Sequence, residues 1–251
     1  MANLRQDTAW QATGLANTYL DGVRGAIPLA SVQLDILIRL ATAAQPEANS
    51  LLDLGCGDGI LGHALLDAYG GNVVTAVFAD FSPRMLEAAR SRLSNHDGQF
   101  LEIDYAQPDW VELAGNSLPT TANGFDVIAS GFSIHHQPDK RKREIYAEIY
   151  NLLSPGGIFL NLEHVASASR WAEEQFDEYF IEALYRHHAP SGKTRDELAA
   201  EYYHRPDKSA NILAPVELQC DWLRGIGFEN VDCYFKAFEL ALFGGIKPTA
   251  P

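Results

Sequence analysis

A glycine-rich loop follows a short, leucine-rich segment of this sequence. Leu51–Gly59 consists of Leu-Leu-Asp-Leu-Gly-Cys-Gly-Asp-Gly, so a buried strand leads directly into three alternating glycines. Glycine adopts positive φ and lets a ligand approach the backbone closely. The helix predicted to follow offers free N–H groups and a partial positive charge. The sequence therefore predicts a cofactor site at this loop.

The residues in and around the loop disfavour a dinucleotide as that cofactor. The dinucleotide pattern G-x-G-x-x-G, counted from Gly55, would require a third glycine where this chain has Ile60. Asp53 ends the strand and Asp58 lies inside the loop, and their carboxylates would repel a pyrophosphate. They favour a ligand that carries an ammonium group and no phosphate.

An aspartate also ends each of the next two predicted strands. Asp80 lies 21 residues after Gly59, where an acid can accept hydrogen bonds from both hydroxyls of a bound ribose. Asp104 ends the third strand. Ligands of doubly wound sheets bind outside the carboxyl ends of the strands. We therefore expect both acids to lie beside the glycine loop.

Together these motifs resemble those of class I S-adenosylmethionine (SAM)-dependent methyltransferases. Asp53–Gly59 resembles the family's first motif, and Ala79–Leu86 resembles its second, in which an acid precedes Ser-Pro-x-Met-Leu. Phe125–Phe132 resembles the fourth-strand motif, and Leu153–Gly157 the turn before the fifth strand. The specific resemblance covers residues 51–162 and continues more loosely to the end of the chain.

The resemblance implies SAM as the cofactor and S-adenosylhomocysteine as its product. In the family, an acid at the position of Asp104 accepts the adenine amino group, and the next side chain packs on the ring. A segment before the first strand closes over the cofactor, where Arg24 could pair with the cofactor's carboxylate. The residues expected to bind the cofactor are Asp53, Gly55, Cys56, Gly57, Gly59, Asp80, Phe81, Met85, Asp104, Tyr105, Ser130, Gly131, Arg24 and Tyr19.

Candidate proton acceptors follow the fourth and fifth predicted strands. Methyl transfer requires a base only where the acceptor must lose a proton, and histidine has a suitable pKa for that role. His135 and His136 follow the fourth strand, and Glu163 and His164 follow the fifth. We expect His136 to orient its loop, whereas His135, Glu163 and His164 stay open as alternative bases.

Strand-like and helix-like segments alternate through the region that carries these motifs. Such alternation is typical of a doubly wound parallel α/β sheet with helices on both faces. Val231–Ala237 and Phe238–Gly244 follow a helix and predict an antiparallel hairpin. With the resemblance, the sequence predicts a seven-stranded, mostly parallel, Rossmann-like sheet of order 3-2-1-4-5-7-6. The predicted parts are a helical cap (1–49), the SAM-binding core (50–167), a helical lid (168–211) and a closing helix and hairpin (212–251).

Composition limits the partners. The chain has 33 acidic against 19 basic residues and a net charge of −14, which disfavours nucleic acid because phosphate contact needs clustered Lys and Arg. Three cysteines without a CxxC pair disfavour a thiolate metal site, and we expect no metal site from the spacing of His and Asp. No apolar run approaches the roughly 20 residues that span a bilayer. A cytoplasmic protein without membrane contact is therefore expected, with a homodimer as the candidate assembly.

Aromatic residues of the predicted lid favour a small organic acceptor, methylated at O, N or C, because they could line an apolar pocket. One alternative is a carboxy-SAM synthase, which acts on SAM itself. The stretch from Tyr203–Arg205 onward resembles the tail of those enzymes, although Gly57–Gly59 stands where they have Ser-Leu-Gly. A second alternative is a non-catalytic SAM-binding subunit.

Overall fold

The chain folds around one central sheet. Its structure, a computed structural model, describes residue 5, residues 7–205, residue 208 and residues 210–249, with only the backbone of Asp21 described. Within this part of the chain the strands are β1 (Ser50–Leu54), β2 (Thr75–Asp80), β3 (Gln99–Glu102), β4 (Phe125–Gly131), β5 (Leu153–His164), β6 (Glu229–Ala237) and β7 (Leu240–Ile246). The α-helices are α1 (Thr13–Thr18), α2 (Ala30–Ala44), α3 (Ile60–Tyr69), α4 (Pro83–Arg92), α5 (Trp110–Gly115), α6 (Asp139–Leu152), α7 (Arg170–His188), α8 (Arg195–Tyr203) and α9 (Val216–Ile226).

The strands are arranged in the order β3-β2-β1-β4-β5-β7-β6. Strands β1 to β5 pair in parallel, whereas β7 runs antiparallel to both of its neighbours, β5 and β6. The fold class and strand order predicted from the sequence are therefore confirmed. The order reverses on either side of β1, which makes the carboxyl ends of β1 and β4 the switch point where ligands of such sheets bind.

Each face of the sheet carries its own hydrophobic core. Alternate side chains of a strand point to opposite faces, and in β1 Leu52 and Leu54 enter one core while Leu51 enters the other. The first core packs against α5, α6 and α9. The second packs against α2, α3 and α4. These layers hold the strand ends, and therefore the loops that follow them, in fixed positions.

The region predicted to form a lid is helical and is built on α7 and α8. Ser169 caps α7 by accepting a hydrogen bond from the N–H of Ala172 at 3.3 Å. Thr194 and Glu197 form a capping box at the start of α8, which stabilises a helix by satisfying its free N–H groups. A third hydrophobic cluster joins these helices to Ile27 and to Leu240 at the start of β7.

Some predicted boundaries are wrong. The second hairpin strand was expected to begin at Phe238, but Phe238 and Glu239 form the turn, and Phe238 adopts a φ of +53° there. Leu153–Gly157, expected as a turn before the fifth strand, belongs to β5, with the pairing to β4 shifted in register after Phe125. No helix in the described part of the chain is both long and apolar enough to cross a membrane.

Candidate active site

A cavity opens at the carboxyl edge of the sheet. It is bounded by the loops after β1 to β4, by the lid helices, and by the N-terminal segment, which we define as residue 5 and residues 7–29. Together with the open space at its mouth, its volume is about 1080 Å³. The sequence-predicted residues that line it are Tyr19, Gly55, Gly57, Asp80, Phe81, Met85, Asp104, Tyr105, Gly131, His135, His136 and His164.

The glycine loop forms the floor of this cavity. Gly55, Gly57 and Gly59 have φ values of +68°, +53° and +76°, which other residues adopt only with strain. A Cβ at Gly55 would overlap the side chain of Ser133, whereas a Cβ at Gly57 would meet nothing within 4 Å. Gly57 therefore faces open space. Gly59 instead packs against α4, since a Cβ there would lie 2.8 Å from Leu93 Cδ1.

Asp80 fixes the geometry between the glycine loop and the turn after β2. Its carboxylate accepts hydrogen bonds from the N–H of Ser82 at 2.8 Å and from the N–H of Gly57 at 2.9 Å. Burial raises the pKa of this carboxyl to about 6. Each oxygen uses one lone pair in these bonds and retains another for a ligand. The position therefore suits an acceptor of hydroxyl hydrogen bonds.

Two buried atoms of opposite charge lie beside the loop. Asp53 accepts a hydrogen bond from the N–H of Gly62 at 2.9 Å through Oδ2, and Arg24 Nε donates to Asp58 Oδ1 at 3.3 Å. Within the described part of the chain, Asp53 Oδ1 and Arg24 Nη2 have no hydrogen-bond partner although both are buried. Burial raises the pKa of Asp53 to about 7.

Asp53 and Arg24 line a second, smaller cavity of about 510 Å³ that shares Tyr19, Gly55 and Gly57 with the first. Leaving a buried polar group unsatisfied costs about 1–3 kcal/mol. A carboxylate acceptor and a guanidinium donor suit the ammonium and carboxylate groups of an amino acid. These residues therefore fit the methionine end of SAM, and Cys56, which also lines this cavity, is small enough to leave room for it.

The N-terminal segment covers the side of the cavity where adenine is expected. Arg5 donates to both carboxylate oxygens of Asp104, at 2.5 and 3.0 Å, and also pairs with Asp7 at 2.7 Å. The Tyr105 hydroxyl lies 2.6 Å from Ser133 Oγ. Reasoning from the sequence missed Arg5 and Asp7, because an isolated arginine and aspartate near the start of a chain carry no pattern.

His135 forms a buried pair with Glu163. His135 Nδ1 lies 2.6 Å from Glu163 Oε1, and the backbone N–H of His135 donates to Oε2 at 3.0 Å. Burial lowers the pKa of His135 well below its usual value and raises that of Glu163 to about 7. The ring is therefore neutral at neutral pH. His135 lines the cavity, and Glu163 is fully buried behind it.

A second histidine–carboxylate pair faces the same cavity. His164 Nε2 lies 2.7 Å from Glu239 Oε2, and Glu239 is buried in the hairpin turn. The rings of His135 and His164 are 5.6 Å apart. Glu239 was not expected from the sequence, because it lies 75 residues beyond His164 and only the antiparallel pairing of β5 with β7 brings them together.

His136 and Ser130 are held by structural hydrogen bonds. Trp10 Nε1 donates to His136 Nε2 at 3.1 Å, and His136 Nδ1 lies 3.3 Å from the carbonyl oxygen of Ala210. An accepting Nε2 leaves Nδ1 as the protonated nitrogen of a neutral ring. Ser130 is fully buried and donates to the carbonyl oxygen of Leu54 at 2.7 Å. Both residues therefore support the walls of the cavity.

The far end of the cavity, which we call the lid lobe, is mostly apolar. Its wall is formed by Phe176, Phe180, Tyr202, Leu240 and Ile27. The ring of His164 lies 5.5 Å from that of Phe176, which places a polar group at the edge of an aromatic surface. Such a lobe suits a flat, largely apolar molecule that is oriented by a few polar contacts.

Known proteins similar to this chain are methyltransferases and related enzymes. Residues 51–157 match a family described as "Methyltransferase domain". The chain is 31% identical over 224 residues to a demethylmenaquinone methyltransferase of Clavibacter sepedonicus, an alignment that covers 88% of this chain and 83% of that protein. It is 25% identical over 242 residues to a carboxy-S-adenosyl-L-methionine synthase of Desulforapulum autotrophicum, with coverage of 94% and 90%.

Among solved structures, an O-methyltransferase family protein from Burkholderia thailandensis has a similar fold. The TM-score is 0.68 at 16% sequence identity, and the match covers 98% of this chain. It covers 64% of that chain, so the present chain spans less than two thirds of that protein's length. This likeness shows a common fold.

Proposed function

Since this chain belongs to the class I SAM-dependent methyltransferases, we propose that it methylates a small, flat and largely apolar organic acceptor. The observation that carries the proposal is one cavity whose wall includes the glycine loop, His135 and the lid lobe. The Clavibacter sepedonicus relative acts, by its name, on demethylmenaquinone, which supports a flat ring as the acceptor.

The cofactor lies across the glycine loop in this proposal. Asp53 accepts hydrogen bonds from its ammonium group, and Arg24 Nη2 donates to its carboxylate. Asp80 binds the ribose hydroxyls, and Asp104 lies at the adenine end with Tyr105. The support for this placement is that Asp53 and Arg24 each have a buried, unpartnered polar atom beside the loop.

When bound, SAM would supply an activated methyl group for in-line displacement by a nucleophilic atom of the acceptor, with S-adenosylhomocysteine as the leaving group. The lid lobe aligns the acceptor and excludes water, which are the main tasks left to the protein in such a reaction. Ionised Glu163 accepts the hydrogen of His135 Nδ1, so that Nε2 presents its lone pair and receives the acceptor's proton. Glu163 is therefore a positioning residue and His135 the base. His164, oriented by Glu239, binds the acceptor at the edge of the lid lobe.

The first experiment identifies the bound nucleoside. The protein as purified is denatured and the released small molecules are analysed by mass spectrometry, with SAM or S-adenosylhomocysteine expected. The protein is then incubated with SAM and two sets of acceptors, planar phenols and reduced quinones in one and aliphatic amines in the other. S-adenosylhomocysteine is expected from the first set. A preference for the amines would contradict the proposed acceptor class.

Matched variants distinguish the roles of His135 and His164. His135→Gln is expected to keep its affinity for SAM and to lose about 10²- to 10⁴-fold in rate, the usual contribution of a general base. His164→Gln is expected to raise the KM for the acceptor with a smaller effect on kcat. Equal losses of kcat in both variants would remove the distinction between base and binding residue.

A second candidate is chemistry on SAM itself. The carboxy-S-adenosyl-L-methionine synthase relative matches nearly the full length of this chain. In addition, Arg205 lines the cavity, its guanidinium 5.4 Å from the ring centre of Tyr202, and could face a new carboxylate. The same mass spectrum distinguishes the candidates, because a bound nucleoside heavier than SAM by one CO₂ would favour this alternative. The cytoplasm as the location and a homodimer as the assembly stay predictions.

A further inference from the structure

Three potential metal ligands meet on the outer surface of α3, away from the lining of either cavity. His63 and Asp67 lie one helical turn apart on α3, and His96 lies beyond the end of α4. His63 Nδ1 is 3.2 Å from Asp67 Oδ2, and His96 Nε2 is 3.2 Å from Asp67 Oδ1. One ligand atom from each residue lies within 4.8 Å of the others.

The spacing of these atoms suits a tetrahedral ion. With bonds of about 2.0–2.1 Å, as zinc forms with nitrogen and oxygen, the edges of a tetrahedron are about 3.3–3.4 Å long. Each imidazole nitrogen lies 3.2 Å from a different oxygen of Asp67, so whichever oxygen binds the ion, one nitrogen–oxygen distance is already close to that edge. The His63 and His96 rings lie 5.3 Å apart at 82° to each other, so the rings do not stack face to face.

We propose that His63, Asp67 and His96 bind a divalent transition-metal ion such as Zn²⁺. Two imidazoles and one carboxylate favour zinc over Mg²⁺ or Ca²⁺, which prefer sites made entirely of oxygen. Three protein ligands leave one coordination position for water or for an external ligand. Zn²⁺ binds the imidazole nitrogens and the carboxylate oxygen through their lone pairs, so no redox step is involved.

The ion would join α3, the helix after the glycine loop, to the chain segment just beyond the end of α4. The carboxyl end of α4 already contacts the glycine loop through Arg92. Arg92 donates to the carbonyl oxygen of Asp58 at 2.9 Å and pairs with the Asp58 carboxylate at 2.5 Å. His96 lies four residues further along the chain. A bound ion would therefore stabilise the same junction, and we expect it to raise the melting temperature without taking part in methyl transfer.

The test uses the full chain after treatment with a chelator and its removal. Titration with ZnCl₂, followed by calorimetry, is expected to show one ion per chain, and Co²⁺ is expected to give the strong visible absorption of a tetrahedral complex. Loss of a ligand should weaken Zn²⁺ binding by at least about tenfold, since even partners of ligands matter 10- to 100-fold. His63→Gln and His96→Gln are the test variants, with Asp67→Asn as a third should either fail to fold.

The matched control is the His187→Gln/His188→Gln double variant, which removes two adjacent histidines at the end of α7. It is expected to bind Zn²⁺ as the wild type does. The melting temperature of each variant is also measured in the presence of chelator. A value close to that of the wild type shows that the variant is folded and that only the metal site is lost. Absence of Zn²⁺ binding by the wild type, binding unchanged in His96→Gln, binding lost in the control, or equal affinity for Mg²⁺ would each overturn the proposal.

Discussion

Replacement of Asp53 by asparagine should stabilise the unliganded protein while weakening its hold on the cofactor. The side chain is fully buried, accepts one backbone hydrogen bond from Gly62, and has no partner for Oδ1 within the described part of the chain. Asparagine keeps an oxygen to accept from Gly62 and removes the buried charge. The carboxylate that we propose to bind the cofactor's ammonium group therefore lowers the stability of the protein without cofactor.

The size of this effect follows from the pKa. Burial raises the pKa of Asp53 from 3.8 to about 7, and each unit corresponds to about 1.4 kcal/mol, so the ionised carboxylate costs about 4 kcal/mol. Between these two values the folded state holds a proton that the unfolded state has lost. The contribution of Asp53 to the free energy of unfolding therefore falls as pH rises from about 4 to about 7, and is level above that.

Urea unfolding of the wild type and of Asp53→Asn, each without cofactor, measures this effect. The variant is expected to be more stable by a few kcal/mol at about pH 8, and linkage makes the difference about 2 kcal/mol smaller at about pH 5.5. Calorimetry at about pH 8 should show SAM binding weakened by about ten- to a hundredfold, in line with a lost charge-assisted hydrogen bond.

Asp126→Asn is the matched control. Asp126 accepts hydrogen bonds from the N–H groups of Asn49 and Ser50 at 2.8 and 3.1 Å and from Ser154 Oγ at 2.9 Å. Because both oxygens of Asp126 accept hydrogen bonds, Asp126→Asn should destabilise the protein at both pH values. A less stable Asp53→Asn variant at about pH 8, or a difference that does not change with pH, would refute the reasoning.

Three further predictions concern the site. Arg24→Gln should weaken SAM binding by about tenfold or more and leave the binding of decarboxylated SAM unchanged in calorimetry; equal losses would contradict the carboxylate contact. Asp80→Asn should lower SAM affinity by about 1–3 kcal/mol, and an unchanged dissociation constant would exclude the ribose role. With a pKa of about 7 for Glu163, single-turnover methylation should rise about tenfold from about pH 6 to about pH 8, because ionisation of Glu163 frees His135 Nε2. Glu163→Gln should be slower without this rise, whereas Glu239→Gln should retain it; a rise retained in Glu163→Gln would contradict the assignment.

Local patterns were enough to predict most of the fold, and to predict that the glycine loop and the acids after β2 and β3 lie together at one edge of the sheet. β1 is a short, fully buried segment with three leucines, and the glycines after it have positive φ. α4 begins at Pro83, and proline is common at the first position of a helix. These features depend on residues close in sequence, so their physical signals are present in the sequence itself.

Contacts between distant segments could not be predicted in the same way. Arg5 reaches Asp104 across 99 positions, and Glu239 reaches His164 only through the pairing of β5 with β7. The hairpin turn was misplaced because Phe238, a residue typical of strands, occupies a left-handed conformation usually taken by glycine or asparagine. Packing of the hairpin therefore determines the backbone conformation of Phe238, and the preference of phenylalanine for strands does not.

The position of β7 has a consequence for how the enzyme is made. β7 leaves the ribosome after the other strands of the sheet, yet it is inserted between β5 and β6. Its first residue, Leu240, lines the cavity, and Glu239 just before it orients His164. A growing chain can therefore assemble the glycine loop early but completes the wall formed by Leu240 last. Synthesis itself delays the appearance of a competent site until the sheet is closed.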